Sequence, residues 1–302
     1  MSVRDWFREA VEPSLLMSFL LVTLGTAIAV RDGFFNAAYY VLAVIGVTLS
    51  QNAVNVLNDY HDYKAGVDAK TIKTPFSGGS KYLVSGAIRP ESAFLFAVAS
   101  LLLALPIGVY FVLERGVVVL VIAIVAGVSV YFYTTTFARV YLGEFLAGLN
   151  LGPLAIIGAY YVQTGSLTLG ALLVGVAPGI MIANVLFLNE VPDIAADSAG
   201  GRRNLPILLG GKRAVKLYSL LETFAVAWTP AIAALGLLPA PTAIALLAAP
   251  FAMKAIRVAM RDYSRVESLI PALGANIITA YVTIGALSIG FIISKLLGFR
   301  PS

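Results

Sequence analysis

Long apolar runs recur from Ser14 to Ile293, and each is about 17 to 25 residues, the length that crosses roughly 30 Å of hydrocarbon at a rise of 1.5 Å per residue. Backbone inside hydrocarbon must satisfy its own hydrogen bonds, so a chain dominated by such runs folds into spanning helices. Nine spans are expected: Ser14 to Val30, Ala37 to Val56, Ala93 to Leu113, Val117 to Tyr133, Gly143 to Val162, Leu169 to Leu188, Leu217 to Leu237, Pro241 to Met260 and Pro271 to Ile293. The fold class is an all-α membrane protein. With 59% hydrophobic and 12% charged residues and a mean hydropathy of +0.89, a water-soluble globule would lack polar surface. The first run follows Arg4 and Arg8, as the core of a signal peptide does. No small-residue cleavage pattern follows it and eight further runs do, so it is read as a true span.

Basic residues are retained on the cytoplasmic side of short loops, which orients the chain. With a cytoplasmic N-terminus, seventeen of the 21 Lys and Arg residues fall inside, and only Arg31, Arg115, Lys295 and Arg300 fall outside. Removing one span would scatter the charge over both faces. The net charge of +5 is explained by this retention and by attraction to anionic lipid, without nucleic acid as a partner. The chain has no cysteine, which excludes disulfides, thiolate catalysis and cysteine metal sites.

Most connections are short, and no linker separates soluble domains, so residues 1–302 are read as a single membrane domain. Two long cytoplasmic loops, about 57–92 and 189–211, suit caps over a membrane cavity. The pattern Asn-x-x-x-Asp runs from Asn58 to Asp62 and again from Asn189 to Asp193, at the ends of the second and sixth expected spans. Four spans separate the two copies. A four-helix unit used twice, with the ninth helix left over, would face the motifs across a pseudosymmetric bundle.

The first motif extends from Asn58 to Asp68 and includes Asp59; the second extends from Asn189 to Asp197 and includes Glu190 and Asp193. On a helix, residues four apart share a face, so Asn58 and Asp62 aim together, as do Asn189, Asp193 and Asp197 if Pro192 permits. Oxygen clusters without histidine or cysteine favour hard cations, and Mg²⁺ characteristically bridges carboxylates to substrate phosphates. Two such clusters suit two Mg²⁺ ions flanking a diphosphate. The bland alternative is that the acids only offset neighbouring Lys and Arg on a solvated face; the repeat at equivalent depth counts against it.

These motifs, Asn58-Asp59 with Asp62 and Asp193 with Asp197, resemble those of the UbiA superfamily of intramembrane prenyltransferases, and the resemblance spans nearly the whole chain. Asn58 to Asp68 followed by Ser77 to Pro90, with Leu142-Gly143-Glu144-Phe145 and Gly152-Pro153, is similar to the branch of menaquinone synthesis that prenylates 1,4-dihydroxy-2-naphthoate. The Arg-Pro-x-Pro segment of the ubiquinone and ether-lipid branches is missing after the first motif. The last acid stands at Asp68, not at position 66, a spacing that itself resembles the menaquinone branch.

The resemblance implies Mg²⁺-dependent prenyl transfer from a prenyl diphosphate to an aromatic acceptor, at the cytoplasmic side of a cell membrane. Asp59, Asp62, Asp68, Asp193 and Asp197 are the expected metal ligands, with Asn58 and Asn189 on metal or phosphate oxygens. Asp62, Asp193, Asn58 and Asn189 form the expected catalytic set. Lys64, Lys73, Lys81, Arg202 and Arg203 are candidates for the diphosphate, each also explained by charge retention. Tyr131 and Tyr133 offer π faces to an allylic cation or belong to the interfacial aromatic belt. Acids inside a span face a cavity or partner, which places Glu144 at the acceptor and leaves Glu222 unassigned. His61, one turn off the Asn58 and Asp62 face, is read as exposed. Other acceptors remain open: a glyceryl phosphate, a hydroxybenzoate or a haem. A cation-coupled transporter is the alternative of another class, and it would place its polar groups near mid-bilayer within broken helices.

Overall fold

The computed structural model describes residues 12–66, 74, 82–132, 140–199 and 201–298, and all of its regular structure there is helical. The elements are α1 (Glu12–Arg31), α2 (Ala37–Ala65), α3 (Pro90–Arg115), α4 (Val117–Phe132), α5 (Gly143–Leu149), a π-helical turn (Asn150–Leu154), α6 (Ala155–Thr164), α7 (Leu169–Glu190), α8 (Ile194–Ala199), α9 (Leu205–Leu209), α10 (Gly211–Ala234), a 3₁₀ segment (Ala240–Ala248), α11 (Ala249–Asp262) and α12 (Val266–Leu296).

Seven stretches are long and apolar enough to cross a membrane: α2, α3, α5 through α6, α7, α10, the 3₁₀ segment with α11, and α12. The two remaining expected spans coincide with shorter apolar helices, Leu16–Arg31 and Val117–Ser129. Large apolar side chains stand outward along α3, with Leu103 64% and Leu113 81% exposed, an arrangement suited to lipid. The protein is thus an integral, multi-pass helical membrane protein.

Neighbours in sequence pack as neighbours in space, and the order closes on itself. α1 packs against α2, α6 and α12; α2 against α3; α3 against α4; α5 and the π turn against α7; α7 against α10 and α12; α11 against α12. The connections at one end are tied together by polar side chains. Arg115 donates through Nε to Val162 O at 2.8 Å and through Nη2 to Gln163 O at 3.2 Å, Gln163 Oε1 accepts from Asn36 N at 2.7 Å, and Tyr160 OH donates to Asp32 Oδ2 at 2.9 Å. The connections that carry both acidic motifs gather at the opposite end, as alternating helix directions require.

The expected fifth and eighth spans depart from regular α-helix, with a proline in each departure, and the ninth is one continuous α-helix. Pro153 has no N–H to give, and Ala155 N–H reaches back to Asn150 O, five residues away, producing the π turn. Pro241 opens a 3₁₀ segment before the eighth becomes α-helical at Ala249. The ninth begins at Val266, five residues before the expected start, and carries Pro271 inside it.

The π turn sits at a close helix crossing. A Cβ built on Gly152 would lie 2.6 Å from Gly179 N, and one on Gly175 would lie 2.7 Å from Pro153 Cα. Backbones approach closely there because glycines stand on both sides of the crossing, the device by which small residues hold membrane helices together. Below the second motif, α7 is also pinned by buried polar groups. Asn184 Nδ2 donates to Glu222 Oε2 at 2.7 Å, Asn276 Nδ2 to Asn184 O at 3.0 Å and Tyr218 OH to Asn276 Oδ1 at 3.1 Å. Asn184, Glu222, Tyr218 and Asn276 together thus join α7, α10 and α12 deep in the bundle.

Gly152→Ala forces a methyl into Gly179 backbone that has no flexible end to yield. It should destabilise the protein by about 1–3 kcal/mol, read as a lower thermal midpoint in detergent. Gly158→Ala, whose methyl would meet nothing closer than Ile122 Cγ2 at 3.8 Å, should leave that midpoint unchanged. Equal midpoints for both variants would refute the close crossing.

Candidate active site

α2 ends where Gly66 takes φ 70°, and its N–H returns to Asp62 O and Tyr63 O. A left-handed glycine at that position is the usual helix stop, and it leaves Asp62 in the last turn. Asp62 is 5% exposed and accepts from Asn58 Nδ2 at 2.9 Å, so the first motif does pair two residues of one helix face.

The second motif does not lie along one helix. α7 stops at Glu190, residues 191–193 turn, and α8 begins at Ile194, because Pro192 cannot continue the N–H ladder. Asp193 N donates to Glu190 O at 3.1 Å, and Asp193 O then accepts from Asp197 N at 2.8 Å. Asn189, half-buried in the last turn of α7, is therefore separated from Asp193 and Asp197 by this turn, contrary to the expectation of one shared face. Asp193 and Asp197 are both buried.

Arg202 joins the motifs. Its guanidinium pairs with Asp62 through Nη2 and with Asp197 Oδ1 through Nη1 at 3.7 Å, while its backbone N–H donates to Asp197 O at 3.0 Å. Asn204 completes the arrangement: Nδ2 donates to Asp197 Oδ2 at 3.0 Å, and Oδ1 caps α9 by accepting from Ile207 N at 3.0 Å. Burial pushes the Asp197 carboxyl up to about 6, with Asp62 adding to the rise and Arg202 and Asn204 opposing it. Burial disfavours the Arg202 charge, but Asp62 and Asp197 outweigh it and raise that pKa above its usual value.

A cleft opens beside Arg202, lined by Asn58, Glu144, Glu190, Arg202, Arg203 and Asn204 with the Gly143 backbone. Glu144 is 2% exposed, and its Oε1 accepts from Leu205 N at 2.7 Å, which ties α5 to the start of α9. Tyr141 N donates to Arg203 O at 3.0 Å from a residue held at φ 62°, a conformation a tyrosine rarely adopts.

Asn58, Asp62, Glu144, Asp197, Arg202 and Arg203 are thus drawn to one place. Lys64 is not among them: its Nζ lies 4.6 Å from the Tyr60 ring centroid, and the side chain is exposed. Tyr131 is 74% exposed against Phe132 and does not line the cleft. His61 is half-buried, edge-on to Tyr60, where exposure was expected. Asp59 is half-buried on α2. Asp68, Lys73, Lys81 and Tyr133 lie outside the described residues. Among the described residues, no three Asp, Glu or His side chains converge as a metal-ligand cluster.

Sequence reasoning gave no role to Glu190 or Asn204, nor to the buried Thr48, Gln51 and Asn52 beneath the first motif. The last three were readable: Thr48, Gln51 and Asn52, Asn55, Asn58 and Asp62 recur at helical spacing in an apolar span. Asn204 before Leu205-Pro206 is a helix-start signal.

The class that emerges is that of a multi-pass helical membrane protein whose two acidic motifs meet at an arginine beside a polar cleft. The UbiA prenyltransferase family model matches residues 18–293, and the chain belongs to that family. It is accordingly a prenyltransferase, which sets aside the transporter alternative. The 1,4-dihydroxy-2-naphthoate octaprenyltransferase of Bacillus subtilis is 29% identical over 218 residues, covering 71% of this chain and 68% of that protein. UbiA prenyltransferase domain-containing protein 1 of Xenopus tropicalis is 29% identical over 230 residues, covering 73% of this chain and 62% of that protein. Among solved structures, a UbiA homolog from Aeropyrum pernix K1 superposes with TM-score 0.67 at 18% identity, over 93% of this chain and 97% of that one. One from Archaeoglobus fulgidus, bound to GPP and Mg²⁺, gives 0.58 at 16% identity, over 94% and 99%.

The raised Asp197 carboxyl has a consequence for stability. Between its unperturbed value of 3.8 and about 6, the folded protein keeps a proton that the unfolded chain has lost, so stability falls as pH rises through that window and levels off above it. Asp197→Asn should flatten this slope in metal-free protein, measured by thermal unfolding in detergent from pH 4 to 7. An unchanged slope would refute the assignment.

Proposed function

We propose that the protein transfers a prenyl chain from a prenyl diphosphate to an aromatic acceptor, 1,4-dihydroxy-2-naphthoate in menaquinone synthesis, with Mg²⁺ as the metal. The observation that carries this reading is the meeting of Asp62 and Asp197 on one cation, the Arg202 guanidinium, at the edge of a cleft. Oxygen donors from both motifs already hold positive charge there, and their all-oxygen chemistry fits a hard cation. The naphthoate acceptor is supported by the Bacillus subtilis relative, and the metal and prenyl diphosphate by the fold shared with the Archaeoglobus fulgidus protein.

In this reading Asp59, Asp62, Asp68, Asp193 and Asp197, with Asn58 and Asn189, would hold two Mg²⁺ ions. Bound Mg²⁺ supplies charge neutralisation for the departing diphosphate. Arg202 and Arg203 bind diphosphate oxygens through paired N–H donors, Lys73 and Lys81 add charge around them, and Lys64, exposed over Tyr60, is left out. The allylic C–O bond breaks with its electron pair leaving on the diphosphate. A ring carbon of the acceptor then bonds to the allylic carbon and loses its proton. Glu144 contacts the acceptor. Tyr133 offers a π face to the cation, and Tyr131, outside the cleft, is left out.

The same reading completes the architecture: nine spans in two four-helix pseudo-repeats, a cytoplasmic N-terminus, and a single domain over 1–302. Loops about 57–92 and 189–211 cap the site on the cytoplasmic side of the cell membrane, in contact with lipid.

Purified protein with Mg²⁺ and a prenyl diphosphate should release diphosphate and form a prenylated product when screened against dihydroxynaphthoate, hydroxybenzoate, glyceryl phosphate and haem acceptors. Asp62→Ala and Asp193→Ala should each lower the rate at least about a hundredfold, the scale at which electrostatic groups act on a transition state. Chelation by EDTA should abolish turnover. Near-normal rates in both variants would return the acids to a solvated, structural role.

A further inference from the structure

The cleft beside Arg202 mixes both charges: Arg202 and Arg203 line it with guanidinium groups, and Glu144 and Glu190 line it with carboxyl groups. Glu190 is 8% exposed and Glu144 2%, and Oε2 of each is buried without a hydrogen-bond donor. The other Glu144 oxygen is already fixed on Leu205 N. A buried carboxyl oxygen lacking a donor is costly. A group seated against these two oxygens is favoured when it brings hydrogen-bond donors.

A diphosphate brings none and is itself anionic, so it belongs with the arginines. A phenolic hydroxyl is neutral and donates one O–H, whereas the acceptor's own carboxylate, like the diphosphate, is repelled by these glutamates. We propose that Glu190, together with Glu144, binds the hydroxyl of an aromatic acceptor, so that these two carboxyl groups set which ring carbon faces the prenyl donor. This rests on the prenyl-transfer reading above and adds to it a binding residue, Glu190, that the sequence motif alone leaves without a role. Glu190 closes α7 immediately before the turn that carries Asp193, so one helix end holds the acceptor hydroxyl and the acidic motif in fixed relation.

The test uses the purified full chain with Mg²⁺, a prenyl diphosphate, 1,4-dihydroxy-2-naphthoate and its two mono-O-methyl ethers, each lacking one hydroxyl donor. Wild type should discriminate against one ether by at least tenfold in kcat/KM. Glu190→Gln and Glu144→Gln should raise the acceptor KM at least tenfold, leave the prenyl diphosphate KM within twofold, and reduce the ether discrimination below threefold. Glutamine keeps the shape at both positions, and at 144 it keeps an oxygen for Leu205 N. Should Glu190→Gln fail to fold, Glu190→Asp serves instead and should weaken the discrimination while retaining its direction. Unchanged discrimination in the variants, or a rise confined to the prenyl diphosphate KM, overturns the proposal while leaving prenyl transfer intact. Wild type that turns over no acceptor removes the prenyl-transfer reading itself, and this inference with it.

Discussion

The ion pairing of Arg202 with Asp62 and Asp197 is the contact on which the rest of the candidate site depends. Neither carboxyl reaches the other motif directly; the guanidinium closes the gap with its planar fork of donors. Buried charges tolerate one another only when paired and hydrogen-bonded, and here Asn58 and Asn204 supply the additional donors to Asp62 and Asp197. The loop from 201 to 204 is therefore tied to α2 and α8 by charge. Its position in turn fixes Leu205 N against Glu144, so one arginine organises both acidic motifs and the cleft beside them.

That organisation requires α5 and α7 to stand close together, and backbone packing delivers it. Gly148 and Gly152 meet the Gly179 backbone, and Gly175 and Gly179 in turn meet Pro153. The π turn at Asn150–Leu154 lets α5 continue into α6 around a proline that has no N–H, without a break in the span. Deeper in the bundle, Asn184 engages both Glu222 and Asn276. The apolar cluster of Phe187, Leu188, Val191, Val215, Tyr218 and Leu269 packs directly beneath the second motif. Motif two thus stands on a packed column, and after the turn at Pro192 its last acid, Asp197, reaches Arg202.

Helical class, span positions and both acidic motifs were legible because each rests on a local rule: run length, residue type and spacing. What the rules could not supply was direction after an interruption. Spacing alone put Asn189, Asp193 and Asp197 on one face, yet Pro192 bends the chain between them. Lys64 and Arg202 looked alike as loop cations. Lys64 lies over Tyr60, whereas Arg202 points into the carboxylates, a difference set by tertiary contacts. Glu190 went without a role because Glu144, which lines the same cleft, comes from a helix far away in sequence. Tyr131 ended an apolar span beside the expected site, and nothing local distinguished a lipid-facing ring from a cleft-facing one.

Opposite charges within one small cleft also bear on how two dissimilar substrates are kept in register. An intermolecular transfer gains most when the reacting atoms are held near contact distance, because the entropy of bringing them together is lost on binding and not at the transition state. Guanidinium and carboxyl groups lining one cleft give an anion and a hydrogen-bond donor different partners to bind. The segment 201–205 links the two kinds of group: it carries Arg202 and Arg203 and also holds Glu144 through Leu205 N.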